Sequence, residues 1–181
     1  MKKTILVFAL AFTVGAVFAQ KKTTTSATIN FDATTSLDAL PKAENKAAVA
    51  SLDTKKGTVA FEAIIKNFSF TNPKIQEHFN GEGWMNSDKF PTATFKGTIT
   101  NLDDIKFDTD GDYTATVQGN LTIHGETKAT TTTAKITVKD KMISTTSDFS
   151  IKLEDFKVDG AAVGAGKVSK TPVISVVADF K

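Results

Sequence analysis

The chain has 181 residues, with 22 basic and 20 acidic side chains, 14 Phe, one Trp and no Cys. Every basic residue is Lys, and no cationic block or aromatic-plus-arginine surface is present, which excludes a nucleic-acid-binding class. Without Cys, disulfides and a cysteine-linked lipid anchor are also excluded, so stability must come from the apolar core.

The first element is Lys2 and Lys3, followed by the apolar run Ile5 to Phe18 and then Val17-Phe18-Ala19, which offers small residues at the positions a signal peptidase reads. This predicts a secretory signal over 1–19, cut after Ala19, and a periplasmic or secreted product. The run is shorter than the roughly 20 residues of a spanning helix, and no later segment is apolar enough to be one. No integral membrane segment is therefore expected after cleavage. Removal of Lys2 and Lys3 leaves equal numbers of the two charges, and residues 20–181 suit a single domain.

From there apolar residues recur at every second position, the period of a half-buried strand. The first strand is expected over about Thr23 to Phe31. Asn45 to Leu52 is Ala-rich and suits helix or strand; the hairpin-like Asp53-Thr54-Lys55-Lys56-Gly57 after it favours strand. Gly57 to Lys66 places Val59, Phe61, Ala63 and Ile65 on one face. Asn72-Pro73 through Gly81 breaks the alternation with a capping Asn, a first-turn Pro and a Gly stop, predicting a short helix with Ile75 and Phe79 on one face. Gly81 and Gly83 then flank a route to Trp84 and Met85, a candidate cap over a barrel mouth.

Further strands are expected at Thr92 to Thr100, Tyr113 to Ile123, Thr131 to Lys139, Met142 to Leu153 and Thr171 to Phe180, separated by turn-forming residues. The fold class is all-β: about eight antiparallel strands closing into a barrel, with one short helix near a mouth. Eight is the number at which the interior either fills with side chains or holds one small ligand, and closure removes exposed edges.

The runs His78-Phe79-Asn80, Ser87-Asp88-Lys89-Phe90-Pro91-Thr92-Ala93-Thr94-Phe95-Lys96-Gly97 and Gly119-Asn120-Leu121-Thr122-Ile123-His124-Gly125-Glu126-Thr127-Lys128 together resemble the YceI-like family. Gly57 to Phe61 and the stretch from Asp148-Phe149 to Glu154-Asp155-Phe156 extend the resemblance over nearly the whole mature chain. It implies a lipocalin-like barrel, exported in bacteria, whose lumen holds polyisoprenoid or another long apolar molecule; a homodimer is an open alternative. Two departures stand out. Asp159 to Gly166 replaces an Ile-Pro pair, and Thr130 to Thr133 replaces more apolar residues, which is expected to make that part of the wall or lumen more polar.

The candidate lumen residues are Phe61, Ile65, Phe95, Ile99, Leu121, Ile123, Phe149 and Ile151. Their faces interleave with Ala63, Ala93, Gly97, Ala115, Gly119, Ala134 and Ala178. Such large–small alternation fits either a filled taper or a tunnel, and a tunnel of this lining suits an isoprenoid or fatty amide chain because each buried CH₂ contributes about 0.8 kcal/mol. Phe68, Phe70, Phe79, Trp84 and Met85 form a plug or a ligand-contacting lid. Binding is thus expected over catalysis, with no cofactor and no metal. The alternatives are a structural or adhesive protein with a filled barrel, or a lipid-modifying enzyme using His124, His78 or Asp155.

Both histidines read better as backbone-bonded imidazoles than as ligands, and two of them without Cys do not make a transition-metal site. Asp108-Thr109-Asp110-Gly111-Asp112 resembles the start of a calcium loop, but Tyr113 stands at the required Gly and Gly119 at the required Glu. A turn is the expectation there.

Overall fold

Nine strands and two short helices organise residues 21–181, the part of the chain described by the computed structural model. The expected signal segment lies outside the described residues. In chain order they are β1 (Lys21–Asp32), β2 (Lys42–Asp53), β3 (Thr58–Ile64), β4 (Ser69–Phe70), α1 (Pro73–Asn80), β5 (Thr92–Ile99), β6 (Gly111–Ile123), β7 (Glu126–Lys139), β8 (Met142–Ser150), α2 (Ala161–Gly164) and β9 (Val173–Phe180). Antiparallel pairing runs β1-β9-β8-β7-β6-β5-β3-β2, and β1 also pairs with β2, which closes an eight-stranded barrel. The two-residue β4 lies outside the ring, against the start of β2.

The turns follow from local chemistry. Asp53 Oδ1 accepts the N–H groups of Lys55 and Lys56 at 3.0 and 2.8 Å, and Gly57 takes φ +68°, so β2 reverses into β3. His124-Gly125 and Asp140-Lys141 have φ of 52°, 79°, 50° and 67°, two-residue turns whose twist matches the strands they join. The tight 124–125 turn lets β7 pair with β6 at once, from Ile123↔Glu126. It therefore begins five residues earlier than its apolar pattern suggests. At the other extreme, β3 and β8 stop before Ile65 and Ile151, because the chain turns into short 3-10 segments at Ile65–Asn67 and Leu153–Phe156.

β2 is a strand despite its Ala content, and its weak point is repaired by a side chain. The ladder with β3 covers only Val49 to Leu52. Before it, the fully buried Asn45 donates from Nδ2 to the Ile64 carbonyl at 3.0 Å and accepts the Ala47 N–H at 2.9 Å. The amide replaces ladder bonds that a distorted strand leaves unmade.

The apolar core sits at the two ends of the barrel. Leu52, Ile136, Val138, Ile143 and Phe180 are buried at one end. At the other, Ile65, Phe79, Leu153, Phe156 and Val158 are buried under α1 and the 153–156 turn. Between them Val59, Phe61, Phe95, Phe149 and Ile174 face inward yet stay only half-buried, because they face a cavity.

Candidate functional site

The cavity between the two packed ends has a volume of about 150 Å³. Six of the eight residues expected in the lumen line it, Phe61, Phe95, Ile99, Leu121, Ile123 and Phe149, joined by Phe68 from the expected plug or lid. Its width depends on two glycines. Gly97 and Gly119 face each other across β5 and β6. A Cβ on Gly97 would lie 2.8 Å from the Phe95 ring and one on Gly119 2.7 Å from it. The ring therefore lies against the barrel wall over the pair, leaving the axis open. This is the use of glycine beside an aromatic on a strongly curved sheet.

A second cavity of about 60 Å³ lies under the cap. It is lined by Ile65, Phe68, Phe79, Trp84, Met85 and Ile151 among the expected residues, and it shares Phe68, Ala93, Ile123 and Ile174 with the first. Those four side chains form a waist between two chambers. Phe70 lines neither; its ring packs on Phe79 at 4.9 Å instead.

The cap is built as its sequence suggests. Asn72 Oδ1 accepts the Lys74 N–H at 2.9 Å, Pro73 opens the helix, and the Gly81 N–H closes it on the Glu77 and His78 carbonyls. Phe79 stands at the centre of the rings of Phe31, Phe68, Phe70 and Trp84, with centroids 4.9 to 5.9 Å away and planes tilted 53° to 58°. Tilted pairs of this kind are favourable beyond their buried area. Trp84 is held from outside by the 159–166 loop: a Cβ on Gly160 would fall 2.9 Å from its Nε1, so the bare backbone there makes the seat for the indole. The Gly/Ala loop thus belongs to the cap.

Sequence reasoning missed several contributors. Ile29, Leu52, Val59, Ile136, Ile174 and Phe180 line the larger cavity; none was named as a lumen residue, although Val59 shares the expected face of Phe61, Ile136 that of Ala134, and Ile174 and Phe180 that of Ala178. Of its polar side chains, Thr130 and Thr132 fall in the run expected to make the wall or lumen more polar, whereas their β8 neighbours Thr145 and Ser147 were not foreseen. Thr130, Thr132, Thr145 and Ser147 are neighbours on the inward face of β7 and β8.

The residues considered for acid–base chemistry lie elsewhere. His124 Nδ1 is 3.1 Å from the Phe156 carbonyl, to which it donates, and its ring meets Phe90 edge-on at 4.5 Å; it ties the β6–β7 turn to the 153–156 segment. The bond is to backbone, as expected, although to a segment distant in sequence. His78 and Asp155 are exposed, and none of the three lines either cavity. No cluster of His, Asp or Glu fit for a metal occurs among the described residues. In the calcium-loop look-alike, Asp110 Oδ1 accepts the Asp140 N–H at 3.1 Å and Tyr113 donates to the Thr109 carbonyl, which makes it a structural turn.

Compared with known proteins, residues 9–180 match the YceI-like domain. A polyisoprenoid binding domain from Saccharophagus degradans, implicated in plant cell wall breakdown, superposes with a TM-score of 0.75 at 13% identity, covering 90% of this chain and 98% of its own. BcnA from Burkholderia cenocepacia gives 0.72 at 17% identity over 86% and 96%. The Campylobacter jejuni YCEI protein gives 0.53 at 22% identity over 75% and 81%. The comparison with curated proteins gives no match.

Proposed function

Because the chain belongs to the YceI-like family, we propose that it is an exported binding protein that carries or sequesters a long apolar molecule, an isoprenoid or similar lipid, inside its barrel. The observation that carries this reading is the pair of adjoining chambers, which share four lining residues and whose walls contain no charged side chain. Such a wall has no titratable side chain for acid–base chemistry and none beside its Ser and Thr hydroxyls to activate them as nucleophiles. It has what non-directional affinity requires: each CH₂ moved from water into it contributes about 0.8 kcal/mol, so a chain of several isoprene units is held without any specific contact.

The similar Saccharophagus degradans protein is a polyisoprenoid binding domain, which supports the ligand class. Lys2, Lys3 and the apolar run to Phe18 support export. The test is purification from the native compartment, N-terminal sequencing and mass spectrometry of an organic extract. The expected result is a chain beginning at Gln20 with an apolar molecule bound. A lipid-free protein that takes up neither added isoprenoids nor fatty amides refutes the carrier; a chain that keeps residues 1–19 refutes the export.

A further inference from the structure

We propose that the barrel wall contains a recognition site for the polar end of the ligand, at a split between β7 and β8, and that this end is an uncharged hydrogen-bonding group such as an alcohol. The proposal rests on the carrier reading and specifies its ligand. The β7–β8 ladder pairs only Lys135 to Lys139 with Met142 to Thr146. β7 continues back to Glu126 on β6, and β8 continues to Ser150 on β9, but the two do not pair with each other there. The ring is closed by backbone bonds over half its height and parted over the other half.

Side chains stand at the parting point. Ser147 Oγ donates to the Thr133 carbonyl at 2.8 Å and lies 3.1 Å from Thr132 Oγ1, so one serine bridges the strands where the ladder stops. Thr130, Thr132, Thr145 and Ser147 all line the larger cavity. Thr130 and Thr145 reach the carbonyls of Lys128 and Ala178 at 3.3 Å, long bonds that leave these hydroxyls free to turn toward a better partner. An all-apolar ligand would cover the two weakly bonded hydroxyls, Thr130 and Thr145, with hydrocarbon. Burying a hydroxyl without a good partner is unfavourable, so the patch favours a molecule that brings a hydrogen-bonding group to it.

The charge of that group follows from what surrounds it. No Lys, Asp, Glu or His lines the cavity. Lys128, next on the same face of β7, is exposed and outside it. A carboxylate or phosphate among the hydroxyls would be partly desolvated without a countercharge, which is costly. With the polar end at the split, the apolar tail runs past Phe68 and Ile123 into the smaller chamber, whose lining carries no polar side chain.

The experiment compares farnesol, its hydrocarbon analogue farnesene and farnesyl phosphate, by equilibrium binding to the wild-type chain and to the variants Thr130→Val and Thr145→Val, which remove the two weakly bonded hydroxyls. Val keeps the branched shape of Thr, and farnesene affinity reports whether each variant still has its lumen. The expected result is that farnesol binds the wild type about tenfold more tightly than farnesene, the equivalent of one or two net hydrogen bonds, and that each variant loses most of this preference while keeping farnesene. Equal affinity for farnesol and farnesene overturns the proposal and leaves the carrier intact. So does a preference that survives in both variants, or farnesyl phosphate as the tightest of the three. Binding of none refutes the carrier reading, and the polar site with it.

Discussion

Asn45 and Gly119 show two ways in which one position governs a barrel. Asn45 has no exposure and satisfies both ends of its amide within the wall. Asn45→Ala leaves the Ile64 carbonyl and the Ala47 N–H without a partner, and should cost about 1–3 kcal/mol in chemical denaturation, the price of buried unpaired polar groups. Gly119 works by absence. Its missing Cβ is where the Lys96 carbonyl and Phe95 Cζ already lie, so Gly119→Ala forces the Phe95 ring and the β5 backbone to move. Overpacking of this kind costs about 1–3 kcal/mol, and the displaced ring narrows the lumen. The expected outcome is a lower denaturation midpoint together with weaker retention of an isoprenoid; unchanged retention would mean that Phe95 does not set the bore.

Among the elements, α1 and the segments around it depend most on one residue. Phe79 is buried and touches four rings drawn from β1, β4, the chain before it and the chain after it. Phe79→Ala should cost about 3–5 kcal/mol, and a red shift of Trp84 fluorescence is the measurement showing that the indole has lost its inner face. This helix was fully legible beforehand, because Asn72, Pro73 and Gly81 are local signals that need no tertiary partner. The strands were legible for a similar reason: a period of two survives whatever the sheet packs against. Their ends were not. β7 begins at Glu126 because of the His124-Gly125 turn, and β8 ends at Ser150 because Leu153 and Phe156 are wanted in the core; neither cause is visible in the alternation itself. The site was half legible by the same logic. Inward faces could be named on Phe-rich strands, whereas the choice between plug and lid for Phe70 needed its packing on Phe79, and the joining of Thr130 and Thr132 on β7 with Thr145 and Ser147 on β8 needed the barrel.

At the scale of the whole molecule, charge and lumen are segregated, and this separates what pH does to the fold from what it does to the site. Asp53 is held below the ordinary carboxylate range by the N–H groups of Lys56 and Lys55, Asp112 by the Thr137 hydroxyl and Lys135, and Glu126 by Lys157. At Asp32 partial burial opposes ionisation, but the Thr34 N–H and hydroxyl together with Lys42 outweigh it and lower its pKa as well. A carboxyl whose folded pKa lies below its unfolded value stabilises the fold when ionised. That contribution is present in full above the unfolded values near pH 4 and is lost as pH falls through the lowered folded ones. Thermal midpoints should therefore hold steady from neutrality down to about pH 5 and drop below about pH 4, and Asp53→Asn should flatten part of that drop. No titratable side chain lines either chamber. Affinity for an uncharged isoprenoid should consequently stay flat between about pH 5 and pH 9, across the range in which a histidine-dependent process would change. A bell-shaped profile over that interval would place His124 or His78 in the working site, against the geometry that keeps both outside it.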